Sequence, residues 1–184
     1  MTAFSLFVSE NKIKQSTAIN GNVDPKFLVP YVRVAQEKRI HERLGSDLYN
    51  KISDEIQAGT LTGNYKILVD DYIADALVHW SFYECIPFLR FKVQNGNIYS
   101  KTSETGEAMS NSDASHFREE IANTAEFYEN RLVDYLCNNN NLFPEYKTNT
   151  GSDVNPSRGS AFYSGLNIGN EAPTDLDKLG GYLL

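Results

Sequence analysis

The chain has 184 residues, of which 41% are apolar, and 17 Lys and Arg stand against 24 Asp and Glu for a formal net charge of −7. That balance argues against a dedicated binder of nucleic-acid phosphates, which needs clustered cations, though not against a wall that DNA merely passes. No apolar run of about 18 residues or more exists, and no basic region leads into an apolar one near Met1, so neither a membrane span nor a secretory signal is expected and synthesis in a cytoplasm is.

In chain order, Thr2–Val8 alternates Phe4, Leu6 and Val8 with smaller residues, as a short strand or extended arm does, although Phe7 spoils the pattern. Asn20-Gly21-Asn22 signals a turn, and Asp24-Pro25 supplies an N-cap followed by proline at the first helical position. A first helix is predicted from there to Leu44, stopped by Gly45, with Pro30 near its start. Its apolar residues Phe27, Leu28, Tyr31, Val32, Ala35, Ile40 and Leu44 fit one face only approximately. Ser46 or Asp47 caps a second helix to Ile56, with Leu48, Tyr49, Ile52 and Ile56 at intervals of three and four and Gly59 as its stop. The third helix, about Tyr65 to Ile86, is apolar almost all round and belongs in the centre of the fold. Pro87 is expected to end it.

Phe88–Val93, the turn signal Asn95-Gly96 and Asn97–Tyr99 then predict a small β-hairpin. Lys101–Ser112 reads as an exposed loop. A last helix is expected from Ser112-Asp113 to Leu136-Cys137, with Phe117, Ile121, Thr124, Ala125, Tyr128, Leu132, Tyr135 and Leu136 facing inward. The predicted fold class is mainly α: a four-helix body with a hairpin inserted after the third helix, and extended N- and C-terminal arms. The expected organisation is an arm over 1–23, a helical domain over 24–146 with its hairpin at 88–99, and an arm over 147–184.

Residues with catalytic chemistry do not converge. His79 follows Asp75, and His41 follows Glu37, by one helical turn, which suggests local ion pairs. His116 and Glu120 offer at most two ligands and form no His-Glu-x-x-His motif. No serine lies in a Gly-x-Ser-x-Gly elbow, and the glycines form no phosphate-binding loop. Cys85 and Cys137 are the only cysteines and read as small buried residues rather than a disulfide or metal pair. No enzyme, cofactor or metal is expected.

Interaction signals are stronger. Arg33, Lys38, Arg39 and Arg43 run along the first helix among acids, either as a solvated face or as a charged seam between subunits. Arg90 and Lys92 alternate with apolar residues in the hairpin and give it a polar face, a candidate contact with another subunit or ring. Asn138–Asn141 ends the last helix, and Leu142, Phe143, Pro144 and Tyr146 can fold back on the body. Thr148–Ser160 has the composition of a linker. Beyond it lie Phe162, Tyr163, Leu166 and Ile168, with Tyr182 as a second anchor, an apolar segment suited to a groove or sheet edge on a neighbour.

Several runs also carry a family likeness. Gly21-Asn22-Val23-Asp24, Leu28-Val29-Pro30-Tyr31-Val32-Arg33-Val34-Ala35-Gln36, Leu44-Gly45-Ser46-Asp47-Leu48-Tyr49 and Ala58-Gly59-Thr60-Leu61 are followed by Ala76-Leu77-Val78-His79-Trp80 and Asn123-Thr124-Ala125-Glu126-Phe127-Tyr128. With Arg131-Leu132-Val133-Asp134-Tyr135-Leu136-Cys137 and Phe143-Pro144-Glu145-Tyr146, the pattern over residues 8–146 resembles the head–tail connector (adaptor) proteins of tailed bacteriophages. The version found in phages and prophages of Bacteroides-type hosts, crAss-like phages included, is the nearest in character. The resemblance implies a structural subunit of a ring, commonly twelvefold, in the virion neck. Its partners would be the portal protein and a further neck or tail protein, around a channel whose DNA it does not grip. A stopper or tail-completion subunit, or a small helical partner-binding protein unrelated to virions, are the other readings.

Overall fold

A computed structural model describes residues 4–19, 23–94, 97–100, 110–148, 150 and 153–157, with the side chains of 90–100 outside the description. Ser9 opens the first helix, α1 (Glu10–Ser16), by accepting from the Lys12 amide at 3.3 Å. Asp24 does the same for the Lys26 amide at the 3-10 turn Pro25–Phe27. A continuous helical run then spans 29–44: α2 (Val29–Ala35), a π-helical turn Gln36–Ile40, and α3 (His41–Leu44). Gly45, at φ 74°, turns the chain into α4 (Ser46–Ala58), which ends at Gly59. A second run, 63–90, consists of α5 (Gly63–Leu68), a π turn Val69–Ile73, and α6 (Ala74–Arg90). The long α7 (Asn111–Asn138) starts at Ser110, whose hydroxyl accepts from the Asp113 amide. A 3-10 turn, Asn140–Leu142, leads to α8 (Pro144–Thr148).

The core lies where α6 packs between α2 and α7. Trp80, Leu77 and Ile73 meet Ile40, Leu44, Leu48, Leu132 and Leu136 there, each buried to within 1% of complete. Each such side chain contributes roughly 1.5–3 kcal/mol relative to exposure.

The π turns explain why the first helix fits a regular face only loosely. In the first, the His41 amide donates to the Gln36 carbonyl five residues back rather than four. The extra residue rotates the downstream face by about 100°. Ala35 and Gln36 can therefore both be buried, and Ile40 and Leu44 still continue the stripe.

The expected fold class is corrected. The expected four-helix body with a small β-hairpin inserted after the third helix gives way to a mainly helical body in which the packed elements are helices, α1 and α8 among them. Pro87 does not end the third helix, which runs on through Phe88–Arg90, the first residues of the expected hairpin. A proline so near a helix end removes one backbone bond, and stacking of Phe88 on Tyr31 at 4.4 Å holds the last turn. Beyond it, only the backbone of Phe91–Gln94 and Asn97–Ser100 is described, running antiparallel with Phe91 opposite Ser100.

The N-terminal segment is neither a strand nor a free arm. Phe7, Val8, Ile13 and Ile19 are buried in the common core, and 10–16 is helical. The reason is a polar anchor: the fully buried Gln36 accepts from the Phe7 amide at 2.9 Å and donates to the Ser5 carbonyl at 2.8 Å and to the Tyr49 hydroxyl at 2.9 Å. Burial pushes the Tyr49 phenol up to about 12, so it stays a neutral hydrogen-bonding group.

Candidate functional site

The segment after α8 is where the chain departs most from a bare linker. Thr150 docks first: its amide and hydroxyl donate to the two carboxylate oxygens of Asp47 at 2.7 and 2.8 Å. Four residues on, the Ser46 amide donates to the Val154 carbonyl at 2.9 Å, while the Val154 amide donates to the Ser46 hydroxyl oxygen at 3.0 Å. The Ser157 amide then donates to the Glu42 carbonyl, also at 2.9 Å. These bonds use backbone groups that the α3–α4 break leaves open, since the last carbonyls and first amides of a helix have no partner within it. The result is a strap formed by residues 150 and 153–157, held across the α3–α4 junction.

Gly45 makes room for the strap. A Cβ there would lie 2.6 Å from Cδ and Cγ of Pro156, and its φ of 74° already disfavours any other residue. Gly45→Ala is expected to lift the strap. Cleavage before Asp153 by an Asp-directed protease should then accelerate by ~10-fold or more, the factor given by a loss of about 1.4 kcal/mol. An unchanged cleavage rate would mean that the notch does not hold the strap.

Beneath the strap lies a polar centre. Arg43 pairs through Nε with the buried Glu129 of α7 and donates from Nη1 to the Ser157 hydroxyl at 3.0 Å. Glu129 also accepts from Trp80 Nε1 at 2.6 Å. Arg39 lies over the Trp80 ring at 3.8 Å, a cation–π contact. Its Nε is buried without a hydrogen-bond partner among the described residues. The recess between these groups and Glu126 is small, about 120 Å³.

His41 Nε2 lies 2.8 Å from the Ser46 hydroxyl, and Nδ1 lies 3.4 Å from Glu37, an order that resembles a nucleophile, base and orienting acid. The hydroxyl, however, is buried at 3% exposure. It accepts from the Val154 amide and donates to Asp153 at 3.1 Å. Its role here is to hold the strap.

All four cations expected on one charged seam meet partners inside the chain. Besides Arg39 and Arg43, Lys38 pairs with the nearly buried Glu84 at 2.7 Å. Arg33 lies over the Phe4 ring at 4.4 Å. The side chains of Arg90 and Lys92, and all of Phe162, Tyr163, Leu166, Ile168 and Tyr182, lie outside the described residues. The sequence did not single out Ser46, Asp47, Trp80 and Glu129 as one centre. The only local signals are a serine after a helix-stopping glycine and a carboxylate on the inward stripe of α7.

A second feature lies on the far side of α7. The end of α1, with α6 and α7, encloses an open groove of about 450 Å³, lined by Gln15, Ser16, Thr17, Ala18, His79, Phe82, Glu120, Ile121 and Thr124. His79 stacks on Tyr128 at 5.2 Å, and burial lowers its tendency to protonate against the opposing pull of Asp75. Phe117 rests edge-on against Phe82 at the rim and stays 40% exposed.

Of the two cysteines, Cys85 is buried and its thiol is pushed up to about 12 by that burial, so it is inert. Cys137, expected to be buried, is exposed beside Tyr146. His116 is exposed, and among the described residues no cluster of three metal-ligating side chains exists. No helix among them is long and apolar enough to cross a membrane.

Searches of curated proteins and of solved structures gave no significant match. A protein-family profile matches residues 40–156, which begin in the last turns of the first helical run and end within the strap. With well over half of its length inside that match, the chain belongs to a family of unknown function, DUF6712.

Proposed function

We propose that this chain is a structural virion protein, a ring-forming head–tail connector subunit that joins the portal to the tail around the DNA channel, without catalytic activity. The observation that carries this reading is the strap. By fixing residues 150 and 153–157 to the α3–α4 junction, it gives residues 158–184 a fixed root on the body. Those 27 residues can reach up to about 90 Å when extended at 3.3–3.6 Å each. A tail with such a root is suited to gripping a neighbour.

Three further features support the reading. The motif resemblance runs along the helical body. The net charge of −7 suits a channel wall that does not hold DNA. Phe88 and Phe127 leave 50% and 64% of their surface exposed, which offers apolar contacts to neighbouring subunits.

The test is assembly. In particles carrying the full chain, imaging is expected to place it in the neck as a ring, at about twelve copies. A chain ending at Ser157, which keeps the strap, is expected to fold but to be lost from the neck. Absence of the full chain from purified particles would refute the connector role, and normal incorporation of the shortened chain would remove the tail from it.

A further inference from the structure

We propose that His41 is a proton-operated latch for the strap: an imidazolium at this position closes residues 153–157 on the α3–α4 junction, and a neutral ring loosens them. The latch acts on the root of the tail and does not depend on the connector role.

The protons around the Ser46 hydroxyl can be counted one by one. Its oxygen accepts from the Val154 amide at 3.0 Å, and a backbone N–H can only donate. Its single proton goes to Asp153 at 3.1 Å, because an ionised carboxylate can only accept. His41 Nε2 lies 2.8 Å from the same oxygen. With the hydroxyl proton committed to Asp153, that contact is a hydrogen bond only if Nε2 carries a proton of its own. At the other edge of the ring, Nδ1 lies 3.4 Å from Glu37 Oε2, where a proton is again required between the two atoms. Both ring nitrogens carry a proton only in the imidazolium.

A neutral ring has one proton for these two contacts. Placed on Nε2, it serves Ser46 but leaves the Nδ1 lone pair facing the Glu37 carboxylate, which repels it. Placed on Nδ1, it serves Glu37, and Nε2 then draws the Ser46 proton away from Asp153. The second arrangement avoids the repulsion, so the neutral ring releases the strap's carboxylate. The His41 side chain is only 14% exposed, and water does not readily replace the lost bond there.

The other groups that face the ring leave this logic intact. On α4, the Tyr49 ring stacks on the imidazole at 4.3 Å, and its neutral hydroxyl donates to Glu37 at 3.4 Å. From the strap, Asp153 lies 3.9 Å from Nε2 and adds its negative charge. The Asp47 carboxylate, beside Ser46, is taken by Thr150, and the Arg43 charge is matched by Glu129. Closure takes up a proton, so it strengthens as pH falls through the range where histidine ordinarily titrates, about 6.5. It weakens again near about pH 4, where the carboxylates lose their charge.

Hydrogen exchange on the full-length chain tests the latch, read as protection factors so that the pH dependence of the intrinsic rate cancels. From about pH 5.5 to about pH 8, either side of the histidine range, protection of the Val154 amide is expected to fall by about 5-fold, the factor carried by one net hydrogen bond. Amides in the middle of α6 should keep theirs. His41→Gln retains a donor towards Ser46 but does not titrate. Asp153→Asn, at an exposed position, removes the acceptor that commits the hydroxyl proton. Each change is expected to flatten the profile. A flat profile in the unaltered chain, an undiminished response in either variant, or an equal fall in α6 overturns the latch.

Discussion

Glu129→Ala is expected to destabilise the protein by about 3–5 kcal/mol, the range for removing one partner of a buried ion pair. For a chain of this size that corresponds to a fall in melting temperature of roughly 6–20 °C. Glu129 is 3% exposed and takes hydrogen bonds from Trp80 of α6 and from Arg43 of α3. Without the carboxylate, the indole N–H loses its acceptor and a largely buried guanidinium loses its charged partner, and neither can reach water freely. The loss should spread to the strap, because Arg43 also holds Ser157. Thermal unfolding followed by circular dichroism checks the magnitude, and a double variant checks the cause. Arg43→Met with Glu129→Leu removes both charges, and such replacements are often neutral or stabilising, so it should recover much of the loss in global stability while leaving the strap weakened. A double variant as unstable as Glu129→Ala would show that packing, not the unpaired charge, sets the effect.

Gln36→Ala is expected to cost about 2–4 kcal/mol and to act first on the N-terminal segment. The Gln36 side chain is the polar link between that segment and the body, and its loss leaves the Phe7 amide, the Ser5 carbonyl and the Tyr49 hydroxyl without it, each unsatisfied buried group carrying a penalty of about 1–3 kcal/mol. Some of that penalty is relieved if residues 4–8 lift away and let water in. Hydrogen exchange should therefore accelerate at the Phe7 amide well before it does in α6 or α7. Equal acceleration everywhere would mean that the segment and the core unfold as one unit.

The helices were largely legible because their ends are written in local chemistry. Gly45 and Gly59 stop helices with positive φ, and Asp24-Pro25 opens a helical turn, as their residue types dictate. Of the residues expected inward on α7, Ile121, Ala125, Leu132 and Leu136 are buried and Tyr128 and Tyr135 half-buried, whereas Phe117 and Thr124 are exposed. The errors arose where a distant contact decided the outcome. Pro87 is a helix breaker by local rule, yet Phe88 stacks on Tyr31, more than fifty residues away in the chain, and the helix persists to Arg90. Thr2–Val8 looked like a strand because alternation is all that a short apolar segment can show. Its burial depends on Gln36, which only the π turn makes available to the interior.

The same division holds for the candidate site. Charge, composition and helix periodicity were determined by the sequence itself, since they follow from residue type and from neighbours one turn away. The sequence also showed that an apolar segment, Phe162–Ile168, follows a polar stretch. Tertiary structure alone decided that the polar stretch is a strap. Its bonds join residues more than one hundred positions apart, Thr150 to Asp47 and Val154 to Ser46. It also decided that Arg39 and Arg43 turn inward to Trp80 and Glu129. No periodicity encodes such pairs, because a hydrogen bond or ion pair depends on distance in space, and only the packing of α3, α6 and α7 brings these groups within reach.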